Sequence, residues 1–149
     1  MSIPMMPPQA SPTPFRGVAF IVRGTPAPQG SKHAYVVGNR ARVVEDSKMS
    51  APWRDSVAAA AADAMNGASP IDVPVTVTIT FFFARPQSVK RPLPSVRPDI
   101  DKLARAVLDG LTAGGVYTDD SRVVDLHAKK RYRDVPGAEV TVTAAEVAS

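Results

Sequence analysis

Residues 74–84 read Pro-Val-Thr-Val-Thr-Ile-Thr-Phe-Phe-Phe-Ala, the clearest alternation in the chain. Val75, Val77, Ile79 and Phe81 point to one side of such a strand, and Thr76, Thr78, Thr80 and Phe82 to the other. One face is fully apolar and needs a partner layer, while threonine tolerates a face that is partly wet. The remaining segments have to supply that layer. Residues 52–65 follow Ser50-Ala51 and are rich in alanine, the best helix former. Pro52 suits a first turn, Trp53, Val57, Ala60, Ala61 and Ala64 share a face, and Asn66-Gly67 offers a left-handed end. An alanine-rich face permits close approach, so this helix is expected to lie tight on a sheet. A second helix is expected over residues 101–112, with Leu103, Val107 and Leu111 on one stripe and Ala113-Gly114-Gly115 closing it.

Five further strands fit around these helices. Residues 15–22 alternate Val18, Phe20 and Val22. Residues 34–37 and 41–44 flank Gly38-Asn39, a two-residue hairpin signal. Residues 122–131 place Val123, Asp125, His127 and Lys129 on one face and Val124, Leu126, Ala128 and Lys130 on the other. Residues 137–147 make the last strand. The expected architecture is α+β: a single small domain, with a mixed sheet packed by two helices.

Composition sets the outer limits. The chain has 149 residues, no cysteine, 15 prolines and a net charge of +4, with a pI near 9.7. Without cysteine there are no disulfides or thiolate zinc sites, and a reducing cytoplasm is the expected compartment. No apolar run approaches the ~20 residues of a membrane helix. Prolines concentrate in residues 1–14, expected to be a disordered tail before a domain at 15–149, and in residues 85–98. The second cluster carries Arg85, Lys90, Arg91 and Arg97 without one acid. A long structureless loop inside a small domain is uncommon unless it is functional or disordered.

That loop runs into Asp99-Ile100-Asp101, with Arg105 one turn on and Asp119-Asp120 beyond the helix. Gathered carboxylates repel one another unless cations sit among them. Oxygen donors without histidine or cysteine suit Mg²⁺, with Mn²⁺ able to substitute. Phosphodiester hydrolysis uses such a cluster. Plainer accounts exist for each acid. Asp99 and Asp101 suit helix caps, Asp101–Arg105 is an ordinary i,i+4 pair, and Asp119-Asp120-Ser121 suits a turn.

The run Asp99-Ile100-Asp101-Lys102-Leu103, continued through Val107-Leu108-Asp109-Gly110-Leu111 to Asp119-Asp120-Ser121-Arg122-Val123-Val124, resembles the RusA family of Holliday junction resolvases. Its spacing matches the family pattern D-x-D-N/K-L, D-A/G-L and D-D-x-x-V without a gap. Residues 24–32 also resemble the G-x-P-x-P-K/Q-G segment of the phage branch. The resemblance implies a Mg²⁺-dependent endodeoxyribonuclease that resolves Holliday junctions by paired symmetric nicks, with Asp99, Asp101 and Asp120 as catalytic metal ligands and Asp119 in support. It implies a homodimer with two sites on branched DNA. Arg105 stands where the family's best-known member has a lysine. Arginine keeps the charge but does not serve as a base, so phosphate contact is its expected role. Lys32, Arg97, Lys102 and Lys129 are the candidate DNA contacts, within a wider set of basic residues that would suit phosphate-dense junctions. The alternative function is a non-catalytic basic DNA-binding protein whose acids act as helix caps.

Overall fold

The computed structural model describes residues 17–29, 32–37, 40–45 and 50–147, and of residues 32–45 the backbone alone. The expected proline tail, the first residues of the 15–22 run and the Gly38-Asn39 turn lie outside the described residues. The elements are β1 (Val18–Arg23), β2 (Lys32–Val37), β3 (Arg40–Glu45), α1 (Ser50–Met65), β4 (Val75–Phe83), α2 (Ile100–Ala113), β5 (Val123–Tyr132) and β6 (Gly137–Ala144), with a 3₁₀ turn at Asp120–Arg122. β1, β6, β4 and β5 lie in that order in one mixed sheet. β6 runs antiparallel to both neighbours, while β5 runs parallel to β4. β2 and β3 pair antiparallel as a separate two-stranded sheet, with Val37 opposite Arg40 as a two-residue hairpin requires. β6 stops at Ala144, three residues short of the expected end, because Ala144 pairs with Val75, the first residue of β4.

The alternation in β4 sets the layers. Val75, Val77, Ile79 and Phe81 are fully buried. Ala138, Val140 and Val142 of β6 and Val22 of β1 extend that face. Trp53, Val57 and Ala61 from α1 and Leu103, Val107 and Leu111 from α2 close over it. Burying each large aliphatic side chain contributes ~1.5–3 kcal/mol. The threonine face stays half-exposed or exposed.

The alanine-rich helix meets β1 as expected, but its closest approach is to α2. A Cβ added to Gly110 would stand 2.6 Å from Val57 Cγ1, and one added to Gly114 would stand 2.8 Å from Ala61 Cβ. Small residues on both helices let their backbones close together. α1 ends through Asn66 (φ 49°) and Gly67 (φ 81°), the left-handed pair read from the sequence.

After α2 the chain turns at Gly115 (φ 79°) and runs back along the helix. Tyr117 is buried, and its hydroxyl donates to the Leu108 carbonyl at 2.9 Å. Burial pushes its phenol above the ordinary range, and Asp120, Asp109 and Asp119 add to the effect. An unfolded tyrosine ionises near pH 10. Above that pH the unfolded state loses its proton first, so stability is complete below pH ~10 and falls as pH rises. Tyr117→Phe should cost about 1 kcal/mol at pH 7 from the lost hydrogen bond. It should also flatten the alkaline fall. Urea unfolding of both proteins at pH 7 and about pH 10.5 measures each part.

Candidate active site at the mouth of α2

Asp99 is the N-cap residue of α2 by backbone geometry (φ −70°, ψ 141°), and its carbonyl accepts the first helical bond from Leu103 N at 3.1 Å. Its side chain makes no cap hydrogen bond. The carboxylate is therefore held at the helix entrance without the bond that a capping role requires. Asp101 sits in the first turn, exposed to solvent. It forms no ion pair with Arg105, which is itself exposed. Among the described residues, Asp99, Asp101 and Asp120 enter no side-chain hydrogen bond or ion pair.

The backbone around these acids is pinned from two sides. Lys130 of β5 donates from Nζ to the carbonyls of Val96 (2.6 Å) and Pro98 (2.8 Å), fixing the end of the proline loop against the sheet. Gln29 N donates to the Lys102 carbonyl at 2.9 Å, which brings residues 24–29 against the first turn of α2. Asp99 consequently borders two hollows of about 550 Å³ each. Arg97, Asp101 and Lys130 line the first, and Pro28, Arg97 and Lys102 line the second.

Asp119 and Asp120 behave differently from each other. Asp119 is the N-cap of the 3₁₀ turn, and its Oδ2 accepts from Ser121 N at 2.9 Å. The Ser121 hydroxyl and then its N–H hold the Asp119 carboxyl below the usual range. The turn reading is thus right for Asp119, which presents Asp120 as the first residue of the 3₁₀ turn. Arg122 ties the same turn to Asp72 through Nε (3.1 Å) and a terminal nitrogen (2.8 Å).

The acids are not gathered into one ligand set. Among the described residues, no three histidines or acids stand close enough together to hold a metal ion. Asp99 and Asp101 share a hollow, while Asp119, Asp120 and Asp109 act electrostatically on the Tyr117 phenol. Neither Asp120 nor Arg105 lines the hollow of Asp99 and Asp101. In donor type the set suits a hard divalent cation: oxygen only, charged, and exposed to solvent.

The basic candidates divide in the same way. Arg97 and Lys102 border Asp99. The side chain of Lys32 lies outside the described residues. Lys129 pairs with Thr80 on the open face of the sheet, whereas Lys130 pairs with Phe81 on the helix side and reaches the site. Strand alternation had already grouped Lys130 with Leu126 and Ala128, and that was the signal separating it from Lys129. Tyr132 continues the same face. Its hydroxyl accepts from Arg91 Nε at 2.9 Å, and Arg85 lies 5.9 Å over its ring. No helix among the described residues is long and apolar enough to cross a membrane.

Comparison with known proteins bears on the whole arrangement. The sequence profile of a family described as Endodeoxyribonuclease RusA matches residues 24–143. The chain is 26% identical over 137 residues to the uncharacterized protein YqaN of Bacillus subtilis (strain 168), covering 84% of this chain and 94% of that one. It is 34% identical over 73 residues to the crossover junction endodeoxyribonuclease rusA of Lactococcus phage r1t, covering 48% of this chain and 56% of that one.

Proposed function

The chain belongs to the RusA endodeoxyribonuclease family, and on that premise we propose that it is a Mg²⁺-dependent endonuclease that resolves Holliday junctions by paired symmetric nicks. The observation that carries this reading is the state of three acids. Asp99, Asp101 and Asp120 are exposed and stand without a cap bond or ion pair among the described residues. The caps-only alternative needs Asp99 to bond its helix, and it does not.

Asp99, Asp101 and Asp120 are the residues that would hold Mg²⁺. Such an ion commonly takes one or two carboxylates together with a substrate phosphate. The Asp99–Asp101 hollow offers two carboxylates, and Asp120 would add a third. The bound ion would lower the pKa of an attacking water and offset charge on the leaving oxygen. Asp119 contributes by fixing the turn that carries Asp120. Arg105, one turn beyond Asp101, is free to meet a phosphate oxygen and stabilise charge in the transition state. Lys130 keeps the entrance in place by holding the loop carbonyls. A homodimer would put two such sites on opposed strands of one junction.

The test uses a synthetic four-way junction labelled on each strand in turn. Symmetric nicks on two opposed strands are expected with Mg²⁺, and none in EDTA. Nicks that persist in EDTA would remove the metal from the mechanism. Junction binding without nicks under either condition would favour the DNA-binding alternative.

A further inference from the structure

Three hollows run from the acids along the outer end of β5. The first, about 550 Å³, contains Asp99 and Asp101. It shares Arg97 and Lys130 with a second of about 160 Å³, which shares Tyr132 and Pro86 with a third of about 470 Å³. They form one groove. Beyond the two site acids, Asp134 in the third hollow is its one acid, against Arg97, Lys130, Arg91, Arg85 and Arg133.

Tyr132 organises the far half. Its hydroxyl accepts from Arg91 Nε, and its ring lies under Arg85. Both guanidiniums are thereby positioned while their terminal nitrogens have no partner among the described residues. The contrast with Arg133 is informative, because that guanidinium is taken by Glu139 at 3.0 Å and lies over Phe82. A guanidinium fork matches two phosphate oxygens at once. Cations spaced along a groove, rather than grouped at one point, fit a ligand with repeated negative charge.

We infer that this groove seats the sugar-phosphate backbone of one DNA arm, with Arg91 and Arg85 gripping successive phosphates beyond the one at Asp99–Asp101. Tyr132 is the positioning residue for both. The inference rests on the proposed junction chemistry for its ligand, but it concerns affinity rather than cleavage.

The experiment compares the full chain with Arg85→Ala/Arg91→Ala, Arg85→Lys/Arg91→Lys and Arg23→Ala, the last lying on β1 at the opposite edge of the sheet. Junction binding is measured in EDTA across a salt series, and nicking in Mg²⁺ at saturating junction. The alanine pair is expected to bind roughly ten-fold more weakly and to lower the slope of log K against log salt by about two, one for each phosphate that is no longer neutralised. The lysine pair should recover the salt slope and only part of the affinity, since an ammonium makes no fork. Arg23→Ala should behave as wild type. An alanine pair with unchanged affinity and slope, in a wild-type background that nicks, overturns the groove and leaves the nuclease reading intact. If wild type binds but never nicks while the alanine pair loses affinity, the groove stands and the nuclease reading falls. Wild type that binds no DNA overturns both.

Discussion

Asp101→Asn is expected to slow nicking of a four-way junction by about a thousand-fold or more, the scale of losing one strong electrostatic element of a transition state. The substitution keeps the shape and removes the charge. Stability should hardly move. Asp101 is exposed and makes no ion pair, so only its interaction with the helix dipole is lost, about 0.3–1 kcal/mol. Asp120→Asn should follow the same pattern. Asp119→Asn should lose far less activity, because asparagine also accepts from the Ser121 N–H and keeps the turn. Rates on labelled junctions, paired with melting curves, separate the two accounts of the acids. A capping role predicts a lower melting temperature with an unchanged rate. Full activity in Asp101→Asn would sink the assignment of the site.

That contrast also shows which parts of the site could be read from sequence. Asp99, Asp101 and Asp120 have ordinary local explanations, and periodicity alone does not choose between cap and ligand. The choice turns on a hydrogen bond that the backbone permits and the Asp99 side chain does not make. Asp119 has the same residue type and the opposite outcome. The ungapped spacing to the RusA pattern carried information that the individual acids lacked, and the family match over residues 24–143 agrees with it.

Elements governed by local chemistry were legible. β4 follows its alternation, and α1 ends at Asn66-Gly67 because those residues tolerate positive φ. Long-range choices were less so. Nothing in residues 137–147 says that the strand must stop where β4 begins. The role of Lys130 depends on carbonyls 32 and 34 residues away, and the Arg91–Tyr132 bond spans 41 residues. A run of basic residues shows a charged strand and its alternation separates Lys130 from Lys129, but strand pairing is what shows which of the two faces turns toward the acids.

Gly110 presents the same problem in the core and leads to the second large effect. Gly110→Val should lower the unfolding free energy by about 3 kcal/mol, near the upper end of the usual overpacking range. Glycine inside a helix gives up roughly 1 kcal/mol against alanine, so isolated-helix propensity predicts stabilisation from any added side chain that suits a helix. Packing opposes it. An added Cβ would lie 2.6 Å from Val57 Cγ1, 2.7 Å from Val57 Cβ and 3.2 Å from the Arg54 carbonyl. Val57 is fully buried and β-branched, so it has little freedom to rotate away, and the carbonyl belongs to the α1 backbone. The helices must separate. Gly110→Ala should show a smaller loss, with the propensity gain offsetting part of the clash. Combining Gly110→Val with Val57→Ala vacates the contested space, so the double variant should be more stable than the two single effects predict, with a coupling of about 1–3 kcal/mol. Urea unfolding of the four proteins in the cycle measures that coupling directly. A strictly additive cycle would mean that the close crossing of α1 and α2 does not limit this position. A large coupling would make the α1–α2 contact the constraint that fixes α2, and with it the direction in which Asp99 and Asp101 face the groove.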